Sequence, residues 1–144
     1  MACRGVDVVS GRSVADAMLA RPKVGTADLT VAGARAELAD DHVHAVLLVD
    51  AGVLVAVVER ADLADAPDTD PARRYGRLGD RVVRPGEDLL ETWRAMVATH
   101  RRRLAVVDAQ GVLLGLLCLK RSGRGFCAQT DVDARARERA DTSA

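Results

Sequence analysis

The hydrophobic residues of this chain are concentrated in four short runs that form two pairs. The first pair covers residues 45–49 and 53–58, and the second covers 104–107 and 112–117. Short runs that are rich in branched side chains and bounded by turn residues are typical of β-strands. Because a glycine-containing turn separates the members of each pair, the pattern predicts two β-hairpins, each with a three- or four-residue loop.

A short amphipathic helix is predicted before each hairpin. Asp88 and Glu91 have the spacing of a capping box, which marks the start of the second helix. One face of that helix is predicted to carry Leu89, Trp93, Met96 and Val97. Thr30 is the predicted cap of the first helix, and Gly33 weakens its apolar stripe of Val31, Ala34 and Leu38.

The two helix-and-hairpin segments are copies of one unit. A shift of 58 residues places Val24 on Val82 and His42 on His100. One inserted residue, Gln110, increases the shift to 59, after which Gly52 falls on Gly111. Self-similarity at a fixed period indicates that the architecture consists of two repeats of a helix–strand–strand unit.

The repeat divides the chain into five segments. Proline and clustered charge in the middle of the chain indicate a connector, and the last residues are charged with few large apolar side chains, which predicts a solvated helix or a disordered tail. A short helix is also predicted at residues 59–66, after the first hairpin. The predicted segments are an N-terminal extension (1–12), a first unit (13–66), a connector (67–76), a second unit (77–126) and a C-terminal tail (127–144).

Composition narrows the class of protein. The 144 residues are 49% hydrophobic, which suffices for one domain with a core. Twenty-one basic and 21 acidic side chains cancel, and the chain has one Trp, one Tyr and one Phe, so no nucleic-acid or membrane partner is expected. Three cysteines without zinc-type spacing favour a reducing cytosol. The absence of a signal-peptide pattern and of a long apolar run leads us to expect a cytoplasmic protein.

Enzyme and metal chemistry find little support in the sequence. His42 and His100 fall at equivalent helix ends, where a cation interacts favourably with the helix dipole. His42 and His44 have no further ligand beside them, which makes a poor metal set. No nucleophile has an obvious base partner, and no glycine-rich phosphate loop is present. We therefore expect neither catalysis nor a metal site.

One group of residues carries a resemblance to a known family. The chain has Val14, Asp16, Met18, Pro22 and Val24, then an amphipathic helix, then the segment LLVDAGVLVAVVERADL. This pattern resembles the cystathionine-β-synthase-type (CBS) domain, and the two copies resemble the tandem CBS pair called a Bateman module. The resemblance covers residues 13 to about 126.

The resemblance implies an α+β fold in which two small sheet-and-helix units are related by a pseudo-twofold axis. It implies a homodimer that requires no cofactor. Clefts between the units of such pairs bind adenosyl ligands such as AMP, ATP, adenosine or S-adenosylmethionine, and the pair regulates an attached or partner protein. The chain itself does not identify that protein.

The family's ligand motif is retained unequally in the two copies. At the end of the second strand the family usually has Thr or Ser and, three residues later, an Asp that binds ribose. Glu59 and Asp62 occupy these positions in the first copy, and Cys118 and Arg121 occupy them in the second. The first site is therefore the more intact, and the resemblance implies as its ligand-binding residues Val24, Ala45, Val46, Leu47, Glu59 and Asp62.

Glu59 leaves two interpretations open. A carboxylate at ~4 Å from a phosphate adds a repulsion of about 1 to 4 kcal/mol, depending on the local dielectric. This repulsion favours a phosphate-free adenosyl ligand, for example one with the cationic sulfonium of S-adenosylmethionine. Alternatively, Glu59 turns to solvent or pairs with an arginine, and Asp62 merely caps its helix.

Basic residues flank the second hairpin and form a candidate anion site. Guanidinium groups bind phosphate and carboxylate through paired hydrogen bonds. The same cluster could instead be a docking patch for an acidic partner or an ordinary solvated edge. Its members are Arg101, Arg102, Arg103, Lys120 and Arg121.

Two functions from different classes follow from the sequence. The first is a regulatory module that binds an adenosyl ligand in a cleft between its units and signals to a partner protein. The alternative is a degenerate pair that binds no ligand and acts as a dimeric interaction scaffold. Asp62 favours the first function, whereas Glu59, Cys118 and Arg121 favour the second.

Overall fold

The computed structural model describes residues 5–7, for which the backbone alone is considered, and residues 11–127. The predicted C-terminal tail therefore lies, apart from Cys127, outside the described residues. The helices are α1 (Val14–Ala17), α2 (Val31–Leu38) and α3 (Leu89–Ala98). The strands are β1 (Gly5–Asp7), β2 (Val24–Thr26), β3 (Ala45–Asp50), β4 (Val53–Glu59), β5 (Val82–Val83), β6 (Arg103–Val107), β7 (Leu113–Cys118) and β8 (Gly125–Cys127).

The two units contain sheets with the same topology. In the first sheet β2 is parallel to β3, which is antiparallel to β4, and β5, β6 and β7 repeat this arrangement. Both hairpins have an irregularity at the same repeat position, between Leu48 and Val49 and between Val106 and Val107. The α+β class and the repeat are thus confirmed. The short parallel strands β2 and β5 were not predicted, because three and two residues are too few to give a periodic pattern.

The predicted caps begin the two longer helices. The Thr30 hydroxyl accepts a hydrogen bond from the Gly33 N–H (3.1 Å), and the Asp88 carboxylate accepts one from the Glu91 N–H (2.9 Å). One prediction about α3 is wrong: Val97 is 43% exposed. The centre of the buried face runs through positions 89, 92 and 96, and at about 100° per residue position 97 falls at the edge of this face.

The hairpin loops differ from the predicted length of three or four residues. In the first hairpin Ala51 and Gly52 alone form the loop, both with positive φ (50° and 84°), as in the tight turns that match strand twist. The second loop spans residues 108–112. The Asp108 carboxylate there accepts hydrogen bonds from the N–H groups of Gln110 and Val112, which ends the strand pairing early.

The core of each unit includes a segment from outside that unit. The segment before the first unit's sheet packs in the second unit, and the segment before the second unit's sheet packs in the first. Val14 and Ala17 of α1 lie in the core of the second unit, and the N–H of Val14 donates to the Glu87 carbonyl. Conversely, Ala72 lies in the core of the first unit and its N–H donates to the Leu29 carbonyl. The segment 13–19, which the sequence assigned to the first unit, therefore packs against the second.

A third apolar cluster joins the two sheets. Leu47, Leu54 and Val57 of the first unit pack there against Ala105 and Val107 of the second. Paired backbone hydrogen bonds lie on both sides of this cluster, between Leu19 and Leu116 and between Arg77 and Val57. These two pairs occupy equivalent repeat positions, so the interface has the expected pseudo-twofold arrangement.

The backbone of Leu19 crosses β7 at close range, beside Gly115, and this close approach allows the packing between the units to be tested. A Cβ on Gly115 would lie 2.5 Å from the Leu19 carbonyl oxygen and 2.9 Å from the Met18 sulfur. We expect Gly115→Ala to reduce the free energy of unfolding by about 1–3 kcal/mol through overpacking, as measured by urea denaturation. Gly86→Ala is the matched control because a Cβ there meets nothing within 4 Å. Equal stability of the two variants would contradict the described crossing.

Candidate functional site

A cleft lies between β2 and β3 of the first unit and β7 of the second. We call it the open cleft, and its volume is about 150 Å³. It is lined by Leu19, Pro22, Lys23, Val24, Gly25, Glu37, His42, Val43, His44, Ala45, Val46, Leu47, Arg103, Leu116 and Cys118. Most of these residues are apolar, and four of the six predicted ligand-binding residues are among them.

The four predicted residues that line the open cleft lie on two paired strands. Val24 begins β2 and pairs in register with Leu47 of β3, so the parallel strands place both beside Ala45 and Val46. Val24 is 47% exposed at the cleft surface, whereas Val46 and Leu47 are buried. Ligand binding by these residues stays a prediction, but their arrangement provides an apolar surface of the kind that binding pockets use.

A second cavity of about 230 Å³ adjoins the open cleft. We call it the arginine cavity, and it is lined by His44, Glu59, Thr99, His100, Arg101, Arg102 and Arg103. His44 and Arg103 line both spaces. The apolar cleft and the cationic cavity are therefore neighbouring parts of one surface between the units.

His44 has an unusual electrostatic environment at this junction. Burial is the largest cause that lowers its pKa, and the positive charges of Arg103, Arg102, Arg60 and Arg121 lower it further, to about 4. The imidazole is therefore neutral at pH 7. A neutral imidazole between cationic groups can donate or accept a hydrogen bond without adding charge.

The two remaining predicted ligand residues, Glu59 and Asp62, do not line the open cleft. Asp62 receives two hydrogen bonds from the Arg81 guanidinium, Nη1 to Oδ2 at 2.5 Å and Nη2 to Oδ1 at 2.9 Å. Glu59 lies 3.2 Å from Arg81 Nη2 and accepts a hydrogen bond from Arg101 Nη1 (2.8 Å). The sequence alternative in which Glu59 pairs with an arginine is the one observed.

These charges form a network that crosses between the units, which we call the Arg81 cluster. Its members are Glu59 and Asp62 of the first unit and Asp80, Arg81 and Arg101 of the second. Arg81 is 3% exposed, and its Nη1 also donates to the Val57 carbonyl (2.8 Å). The buried Nη1 and Nη2 groups are tolerated because carboxylate and carbonyl oxygens replace their water.

The pKa of Asp62 reflects this pairing. Burial by itself would raise the pKa of the carboxyl group. The hydrogen bond from Arg81, the hydrogen bond from the Glu59 N–H and the positive charges of Arg81 and Arg77 outweigh that effect and hold the pKa below its usual value. Asp62 is therefore ionised and engaged within the protein.

The predicted anion-binding residues are placed in three different ways. Arg102 and Arg103 line the arginine cavity, and Arg101 lines it while also bridging Glu59 and Asp80. Lys120 and Arg121 lie beyond the lining of both spaces, although Arg121 is close enough to lower the pKa of His44. Anion binding by this set stays a prediction.

Sequence reasoning missed the role of Arg81. The repeat places Arg81 on Lys23, and Lys23 lies in the open cleft with its ammonium 2.5 Å from a Glu37 carboxylate oxygen. A pair of basic residues at equivalent repeat positions was a usable signal. It did not reveal that one side chain is 72% exposed and the other is buried.

The described residues include neither a candidate metal site nor a candidate membrane span. No group of three or more His, Cys, Asp and Glu side chains in residues 5–7 and 11–127 has an arrangement that could hold a metal ion. Within the same ranges, no helix combines the length and the apolar character that crossing a bilayer requires.

Comparison with known proteins shows similarity in structure alone. No protein-family model matches the sequence, and no curated protein does. The crystal structure of CBSX2 in complex with AMP is similar over 88% of this chain and 99% of that chain, with 25% identity and a TM-score of 0.65. The CBS domains of a transcriptional regulator from Streptococcus pneumoniae cover 85% of this chain and 97% of theirs, with 17% identity and a TM-score of 0.61.

A third similar structure belongs to a larger protein. It is the cytosolic domain of the Mg²⁺ channel MgtE in complex with ATP, with 24% identity and a TM-score of 0.55. The match covers 67% of this chain and 41% of that chain. The present chain therefore spans less than half of the chain in that structure.

The Arg81 cluster predicts a large effect from the loss of one cation. We expect Arg81→Met to reduce the free energy of unfolding by about 3–5 kcal/mol, because the Asp62 carboxylate is left without its guanidinium partner, whereas Glu59 keeps Arg101. Chemical denaturation measures this effect. Adding Asp62→Asn to Arg81→Met should recover part of the loss, since the uncompensated charge is removed.

A surface ion pair provides the control for this prediction. Arg94 donates to Glu91 at 2.6 Å, but both side chains are at least 60% exposed. Arg94→Met should therefore change stability by less than about 1 kcal/mol. If Arg81→Met has an effect as small as this, Arg81 does not stabilise the fold in the described way.

The lowered pKa of His44 predicts a pH dependence of stability. Between pH about 4 and 6.5 the unfolded chain binds a proton at this residue and the folded chain does not. The free energy of unfolding should therefore fall as pH is lowered through this window, and it should fall less in His44→Asn. Urea titrations across the window measure the difference between the two proteins. An imidazole that titrates near 6.5 by NMR in the folded protein would contradict the prediction.

Proposed function

The chain has the fold of a tandem CBS domain pair, and we propose on that basis that it is a non-catalytic regulatory module that binds an adenosine nucleotide between its units. The base would occupy the open cleft and the phosphate would face the arginine cavity. As a homodimer in the cytosol, the module would report nucleotide binding to a partner protein. The observation that carries the proposal is that His44 and Arg103 line both spaces.

The open cleft supports the proposal for the base. Val24, Val46 and Leu47 of the first unit and Leu116 of the second line the cleft, so both units contribute apolar residues. A planar base buried between such walls removes apolar surface from water, at about 25 cal/mol per Å². Contacts from both units would also make binding sensitive to their relative position, which is how a ligand shifts a conformational equilibrium.

The arginine cavity supports the choice of a ligand with phosphate. Arg102 and Arg103 can present paired donors to an anion, and neutral His44 can add a further hydrogen bond. The expected repulsion by Glu59 is offset, because Glu59 is paired with Arg81 and Arg101. We therefore favour AMP or ATP over S-adenosylmethionine. The AMP and ATP complexes of the similar structures are in line with this choice.

One observation favours the ligand-free scaffold as a second candidate. Arg81 occupies both carboxylate oxygens of Asp62, the residue that the family resemblance assigns to ribose. In the second unit, Cys118 and Arg121 stand at the two motif positions. A nucleotide in the open cleft would therefore bind without the ribose-binding carboxylate of the family. The scaffold function would need no ligand in either the open cleft or the arginine cavity.

Calorimetry with AMP, adenosine and S-adenosylmethionine tests the proposal. We expect AMP to bind the wild type most tightly. Arg103→Met should weaken AMP binding by about tenfold or more, because a charge-assisted hydrogen bond contributes roughly 1.5–3 kcal/mol. The same substitution should have little effect on adenosine, which has no phosphate.

Two control variants make this measurement specific. Arg124→Met removes an exposed cation outside both cavities and should leave AMP binding unchanged. Asp62→Asn tests whether the ligand uses the Arg81 side of the interface, and we expect AMP binding to persist in this variant. Failure of all three ligands to bind the wild type would refute the nucleotide proposal and favour the scaffold.

A further inference from the structure

Two buried cysteines lie against each other beside the open cleft. Cys118 is the last residue of β7 and Cys127 is the last residue of β8, with 3% and 8% of their surfaces exposed. Their sulfur atoms are 2.8 Å apart, and both residues are in the thiol form. Together with Leu19 they form a small cluster of their own.

The backbone holds the two cysteines opposite each other. Leu119 and Phe126 form an antiparallel bridge, and the Lys120 N–H donates to the Gly125 carbonyl (2.8 Å). In an antiparallel pair these contacts bring residues 118 and 127 to the next opposing position. Directly opposing residues have Cβ atoms about 4.5–5.5 Å apart, so a small adjustment reaches the separation of a disulfide.

We propose that Cys118 and Cys127 are a reversible dithiol–disulfide site on the wall of the open cleft. The oxidant is a low-molecular-weight disulfide. One cysteine thiolate attacks it, forms a mixed disulfide and releases one thiolate. The other cysteine then attacks the protein sulfur of the mixed disulfide, which closes the intramolecular bond and releases the second thiolate. Two protein thiols are thus oxidised, one external disulfide is reduced to two thiols, and a thiol reductant reverses both steps.

The position of Cys118 gives this chemistry a route and a consequence. Cys118 lines the open cleft and is 3% exposed, so the cleft is the side from which a small disulfide would reach its sulfur once the wall opens slightly. Arg103 lies opposite Cys118 in the β6–β7 register, and Gly5 of β1 lies opposite Cys127. The bond would therefore fix β8 and its partner β1 to the strand that forms the cleft wall.

This arrangement links oxidation to the ligand, and that link rests on the proposed nucleotide function. A nucleotide in the open cleft would cover Cys118 and slow its reaction. Reciprocally, the bond would change the wall that contacts the nucleotide, so oxidised and reduced protein should differ in affinity for AMP.

The first experiment tests the disulfide without any ligand. The full chain carrying Cys3→Ser contains two cysteines and is incubated with oxidised glutathione. We expect the number of titratable thiols to fall from two to zero, and mass spectrometry of a digest should show a peptide cross-linked between residues 118 and 127. Dithiothreitol should restore both thiols. Thiols that remain reduced, or a bond between two chains in place of the internal one, would overturn the proposal.

Single-cysteine variants distinguish formation of the internal disulfide from reaction of each thiol with glutathione alone. In Cys118→Ser and in Cys127→Ser, each in the Cys3→Ser background, the remaining thiol can form the mixed disulfide but cannot release the second glutathione. We expect a stable glutathione adduct in at least one variant and none in the paired protein. Two adducts on the paired protein, without an internal bond, would show that the cysteines do not reach each other.

A second experiment examines the link to the cleft. We expect saturating AMP to slow closure of the disulfide severalfold, and oxidation to change the dissociation constant of AMP severalfold. If AMP binds but neither quantity changes, the disulfide is independent of the cleft. If AMP does not bind while the internal disulfide forms, the nucleotide function fails and the dithiol site stands.

Discussion

The placement of one buried cation, Arg81, determines how the two units meet. The Nη1 and Nη2 atoms of its guanidinium contact Asp62, Glu59 and the Val57 carbonyl, all from the other unit. A charge of this kind is stable in the interior only when oxygen atoms surround it, so the second unit can dock only where the first supplies them. The apolar cluster between the sheets buries side chains of both units, and the Arg81 cluster constrains their orientation.

The same constraint makes the two sides of a symmetrical architecture chemically unequal. Lys23 and Arg81 occupy equivalent repeat positions. Lys23 lines the open cleft, whereas Arg81 is buried in the interface between the units. Glu59 is replaced by Cys118 in the other half, so one side carries a carboxylate with two arginines and the other carries a thiol with a second thiol. One side of the interface is thus occupied by paired charges, and the other side is an open cleft.

The open cleft derives its chemistry from both units. Its apolar lining comes from the first unit and from Leu116 of the second, Arg103 and Cys118 also come from the second, and the cationic cavity begins where His44 meets Arg103. A displacement of one unit relative to the other would change all of these contacts together. This is the property that a regulatory ligand needs, because differential contact with two arrangements is what shifts the population between them.

The sequence by itself determined the two longer helices and the four hairpin strands, because caps, apolar runs and the repeat are local patterns. Thr30 and Asp88 begin helices as predicted, and both hairpins form from the predicted runs. The sequence could not determine the partner of Asp62, since a carboxylate that binds ribose and one that pairs with a buried arginine look alike in a linear pattern. The partner of Asp62 is 19 residues away, and Glu59 and Arg101 are 42 residues apart. Such contacts exist only once the two units have packed, and that packing decided which charges are neutralised inside and which cleft stays open.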